Sequence, residues 1–88
     1  MSRHLDVTFE VTRGNDTDFF PALEDALRHA FACAAGSGEK VILDVLVSSP
    51  AGAKAWAGDD GVEQYLDDPE ASVFERFEVK VNSMGRVP

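Results

Sequence analysis

The chain has 88 residues, a net charge of -8, 44% hydrophobic residues and a single cysteine. That length makes one domain, residues 1–88, and the hydrophobic content excludes wholesale disorder. The charge excludes nucleic acid as a partner, because phosphate binding needs the opposite sign, and Cys33 alone cannot close an internal disulfide.

Leu5, Val7, Phe9 and Val11 alternate with Asp6, Thr8, Glu10 and Thr12, which predicts a half-buried strand over residues 5–13. Arg13-Gly14-Asn15-Asp16 has turn chemistry. Thr17 or Asp18 can cap a following helix, with Pro21 in its first turn. Phe20, Leu23, Leu27, Ala30, Phe31 and Ala34 then form one apolar stripe, predicting a helix over residues 18–35 that Gly36 terminates.

Residues 40–48 predict a second strand, with Val41, Leu43, Val45 and Val47 on one face. Ile42, Asp44, Leu46 and Ser48 take the other, so both faces are largely apolar. Ser49-Pro50 reads as a cap with a proline at the first helical position, opening a short helix that stops at Gly58. Asp59 or Asp60 can cap a further helix through Leu66, ended before Pro69. Residues 54–57 read alternatively as a short edge strand. The last strand spans residues 73–81, with Phe77, Val79 and Val81 inward, and residues 82–88 read as a tail.

The order β-α-β-α-β predicts an α/β two-layer sandwich, with three strands and helices on one face. If residues 54–57 pair as an edge strand, the order becomes the ferredoxin-like βαββαβ arrangement. Residues 1–6 lack the apolar core of a signal peptide, and no stretch approaches the roughly 20 apolar residues of a membrane span. With a lone cysteine, this predicts a cytoplasmic protein with no membrane partner. The chain is rich in Ala and poor in Lys, Ile and Asn, as expected of a GC-rich bacterial genome.

The charge is concentrated. Asp59, Asp60, Glu63, Asp67, Asp68 and Glu70 fall in one twelve-residue window without Lys or Arg, so it supplies -6 of the -8. Asp59 and Asp60 suit a helix N-terminus; Asp67 and Asp68 sit where the helix dipole is negative. Like charges four apart also cost a few tenths of a kcal/mol each. A basic protein partner would relieve that cost, and a solvated face kept for solubility is the plainer reading.

Asp44, Glu78 and Lys80 come nearest to catalytic chemistry. Two carboxylates for a divalent ion and a lysine beside the attacking water would suit a small metal-dependent hydrolase or nuclease-like enzyme. Alternating Arg76, Glu78 and Lys80 read as readily as cross-strand pairing. His29 and Cys33 are four apart on a helix, yet a metal needs further ligands, and Cys33 reads as a small buried hydrophobe. No glycine-framed serine or phosphate-binding loop is present. The residues call for no cofactor or metal and favour a non-enzymatic protein.

Ile42, Leu46 and Phe74 are expected to point away from the helix layer. A small protein rarely leaves such a stripe in water, so a homodimer pairing its sheets is expected. The sequence therefore predicts an interaction domain that self-associates and presents an acidic helix to a basic partner. A structural accessory subunit with no site is the remaining class.

Overall fold

The fold was obtained as a computed structural model and describes residues 7–67 and 73–87. Eight elements follow one another: β1 (Val7–Arg13), β2 (Asp16–Phe20), α1 (Leu23–Ser37), β3 (Val41–Val47), α2 (Pro50–Ala57), α3 (Asp59–Asp67), β4 (Val73–Val79) and β5 (Met84–Val87). The strands form one sheet in the order β2-β1-β3-β4-β5, with every neighbouring pair antiparallel. The α/β class agrees with expectation; the sheet has five strands where three were expected. Among the described residues no helix is long and apolar enough to cross a membrane.

Both additional strands come from hairpins. Arg13 pairs with Asp16, leaving Gly14-Asn15 as a two-residue turn. Gly14 has φ 58°, and among the described residues none other than glycine has a positive φ. A positive φ at the first turn residue alone matches the twist of flanking strands, and glycine adopts it at no steric cost. Residues 16–20 are therefore strand and not the start of the first helix. Pro21 follows this strand, and Ala22, at the helix N-cap, makes no side-chain cap bond. At the other end residues 84–87 pair with β4, where a tail was expected.

Helix α1 lies on the sheet through Ala26, Ala30 and Ala34, all buried, while Leu23, Leu27 and Phe31 flank the contact half-buried. Small side chains four apart let the helix axis approach the sheet closely. The helix ends at Gly38, two residues beyond the expected Gly36. Gly38 has φ 72°, and its N–H bonds the Ala34 carbonyl at 3.0 Å.

Residues 54–57 are helical, so the ferredoxin-like alternative does not hold. Ser49 Oγ accepts a hydrogen bond from the Gly52 N–H at 3.1 Å, and Pro50 opens α2. Trp56 packs edge-on against Phe9, with ring centroids 5.5 Å apart, and its indole N–H donates to Glu75. A helix over 50–57 allows that reach, with Trp56 anchored between β1 and β4. Helix α3 turns back against α2 at Gly61. A Cβ there would collide with Ala57 Cβ and stand 3.1 Å from Phe74 Cζ. Gly61→Ala gains roughly 1 kcal/mol of helix propensity but forces two helices apart. A net loss of about 1–3 kcal/mol is expected in denaturant unfolding, as for other overpacked contacts.

The core lies between α1 and one face of the sheet: Phe9 and Val11 from β1, Val41, Leu43 and Val45 from β3, and Val79 from β4. All three helices cover this face or its margin. Phe9 joins the core and meets Trp56 of α2, and Phe74 meets Gly61 of α3.

Candidate functional site

The uncovered face of the sheet follows from the register. Glu10 pairs with Phe19 on one side and Asp44 on the other; Asp44 pairs with Arg76, and Arg76 with Val87. The central row across the sheet is thus Phe19–Glu10–Asp44–Arg76–Val87. A second row runs Thr17–Thr12–Ile42–Glu78–Gly85, and a third Thr8–Leu46–Val73. Side chains opposite one another on antiparallel strands share a face, so these residues all point away from the helices. Phe19 is 62% exposed and Val87 37%.

Phe74 does not join them. The pairing of β3 with β4 shifts between Val45, opposite Glu75, and Leu46, opposite Val73. Phe74 is the extra residue, and this bulge turns its ring toward Gly61 of α3. Counting back by twos from Phe77 misplaces it, because a bulge breaks the period. Val73 takes its place on the open face. Ile42 and Leu46 lie on that face as expected, each half-buried by neighbours.

Asp44 is the one buried charged side chain among the described residues, at 4% exposure. Arg76 covers it bidentately, Nε donating to Oδ1 at 2.7 Å and Nη2 to Oδ2 at 3.0 Å. That bond, with the Asp44 charge behind it, raises the Arg76 pKa further. On the other side, burial pushes the Glu10 carboxyl above its ordinary value. The Asp44 charge and a hydrogen bond between the two carboxyls push it the same way, and Arg76 opposes them. The sheet centre thus holds two carboxyls and one guanidinium in a line.

Of the residues expected to carry a reaction, Asp44 and Glu78 share the open face. Glu78 sits one row from Asp44, opposite Ile42. Lys80 lies past the end of β4, where its backbone N–H bonds the Ser83 carbonyl at 2.8 Å. Both Asp44 oxygens face Arg76. Among the described residues no three His, Cys, Asp or Glu side chains gather as a metal requires.

A second cluster ties β2 to α1. His29 Nε2 lies 3.1 Å from Asp18 Oδ2 and 3.4 Å from Cys33 Sγ, beside a cavity of about 220 Å³. A base that relays a proton uses its two nitrogens for its two partners. Here one nitrogen meets both, and the arrangement fastens the hairpin to the helix. Phe20 stacks obliquely on His29 at 5.1 Å, adding to that fastening.

The acidic window begins in α3, where Asp59, Asp60 and Glu63 are exposed and Lys54 Nζ approaches Asp59 Oδ1 at 3.9 Å. Asp67 ends the helix; Asp68 and Glu70 lie outside the described residues. Compared with protein-family models, curated proteins and solved structures, the chain matches none.

Proposed function

We propose that this chain is a non-enzymatic association domain whose open sheet face is the contact surface for a second copy. One observation carries the reading. Among the described residues α1 and α2 pack on one side of the sheet and α3 packs on α2, so no described element lies over Phe19, Ile42, Leu46, Val73 and Val87 on the other side. Water disfavours exposed apolar surface by about 25 cal/mol per Å², and pairing removes it from both copies. The face holds about 30 residues of strand, each occupying roughly 4.8 by 3.3 Å, or about 500 Å² in projection. Two copies then bury on the order of 1,000 Å² or more, the lower end of specific interfaces.

Asp59, Asp60 and Glu63 are exposed on α3, which packs on α2. In the same reading they remain available to a basic protein while the sheets are paired, and the attraction would be screened by salt.

Sedimentation equilibrium at tens of micromolar tests the association. A dimer mass is expected for the unmodified chain. Leu46→Glu should weaken association by about 100-fold or more, since each copy would carry an unpaired carboxylate into the contact. The variant should stay folded, because Leu46 lies outside the core. A monomer mass for the unmodified chain would refute the reading.

A further inference from the structure

We infer that two copies pair about a two-fold axis parallel to β3, so that Glu10 of each copy faces Arg76 of the other. The inference rests on the association reading above and assigns the geometry and the residues that select it.

Two simple axes can bring one sheet face onto its own copy with the strands aligned. An axis across the strands maps the central row onto itself without reversal. Glu10 would then face the second Glu10, and Arg76 the second Arg76, setting like charges opposite one another. An axis along β3 reverses the row from left to right. Glu10 then faces Arg76 of the second copy, and Phe19 faces Val87. The outer rows map onto themselves, so Leu46 meets Leu46 and Ile42 meets Ile42. Glu10 meets a base under this axis alone; Ile42, Leu46, Phe19 and Val87 meet apolar residues under either, and here Thr8 falls opposite Val73 and Thr12 opposite Glu78.

The order of the row produces this outcome. It reads apolar, acid, acid, base, apolar from β2 to β5, with Asp44 at its midpoint. Reversal about the midpoint exchanges the outer acid with the base. Asp44 comes to lie on the axis already neutralised by its own Arg76. Arg76 uses one N–H on Nε and one on Nη2 for Asp44, and a guanidinium carries five, so donors remain for a second carboxylate. Glu10 lies beside Asp44 in the row, so its nearest charged neighbour on β3 is a second carboxyl. Among the described residues Arg76 is the cation that lowers its pKa, and that guanidinium is spent first on Asp44. Packed sheets keep their strands within about 30° of one another, which a parallel β3 pair satisfies. Like-charge juxtaposition is costly across an interface, so charge selects the axis, while Phe19, Ile42, Leu46, Val73 and Val87 supply the apolar contact.

Cross-linking tests the axis separately from the association. Leu46→Cys is placed in a Cys33→Ser background, and a bifunctional thiol reagent spanning about 10 Å, the separation of packed sheets, is added. Linking of Leu46→Cys copies to one another is expected. Glu10→Lys should lower the association constant by at least about 100-fold, because the introduced ammonium would face Arg76 across the contact. Its own fold should hold, since the new cation lies beside Asp44. The inference is overturned if the dimer mass persists without that link and Ile42→Cys instead links to Leu46→Cys in a mixture. That result places the axis across the strands and leaves the association reading intact. A dimer that links in neither way and tolerates Leu46→Glu overturns both, as does a monomer at every concentration.

Discussion

Leu43→Ala should cost about 2–5 kcal/mol, in the upper part of that range, and should be the most damaging single truncation in the apolar core. Leu43 is fully buried in the central strand, between Val11 of β1 and Phe77 of β4. The helix above it presents Ala26, Ala30 and Ala34. Alanines have no rotamers with which to refill a hole, so the cavity left by the lost isobutyl group persists, and the cost rises with residual cavity volume. Domains of this kind are stable by about 5–15 kcal/mol, so the variant loses a large share of its margin. A reduced urea midpoint with an unchanged slope is the expected readout. Leu27→Ala should cost less, because Leu27 is only half-buried at the edge of the same contact. The reverse ranking would mean that α1 packs through its leucines.

That ranking also marks where the sequence was hard to read. The helical period showed that a helix follows the first strand, but Leu23, Leu27 and Phe31 drew the apolar stripe toward themselves. Ala30 and Ala34 of that stripe are in the buried contact, but its third member is Ala26, which the stripe left out, because closeness of approach matters more there than side-chain size. The hairpin over residues 7–20 was hidden for a related reason. Thr17 and Asp18 ahead of Pro21 form a good helix start by composition, and nothing local distinguishes that from a strand ending at Pro21. The two-residue turn at Gly14-Asn15 was the signal that could have decided it.

The open face was legible wherever period two held without interruption. Ile42, Asp44 and Leu46 fall on it because β3 alternates along its whole length. Phe74 does not, because a bulge inserts one residue and no local feature of residues 73–75 announces it. The Glu10–Asp44–Arg76 line lay beyond sequence reasoning for a third reason. Each residue was assigned to a wet or minority face of its own strand, but their alignment depends on the register between strands. Register is fixed by packing and by the turns, and residues 34 and 32 apart in the chain become direct neighbours only after both are set.

Arg76→Met should cost about 2–3 kcal/mol at pH 7 in the dilute protomer. An exposed ion pair contributes about 0–1 kcal/mol, and breaking a buried one costs about 3–5. This pair stands between the two limits, because the Asp44 side chain is 5% exposed and that of Arg76 49%. Methionine keeps much of the apolar stem and removes the charge, so the loss reports the carboxylates left without a cation. The pH dependence has a definite sign. Glu10 already titrates above its ordinary value of 4.5, and Arg76 is the influence that holds it down. Without Arg76 the Glu10 carboxyl binds a proton still more readily in the fold than in the unfolded chain. For an acid raised in the fold, the penalty is full above the folded pKa and absent below the unfolded one. The deficit of the variant should therefore be greatest at neutral pH and shrink as the pH falls toward 4.5. Adding Asp44→Asn should recover most of the loss at pH 7, because it removes the charge that lacked a partner. Equal deficits at pH 7 and pH 4.5, with no recovery from Asp44→Asn, would mean that Arg76 stabilises the sheet through its stem and that the charged row is incidental.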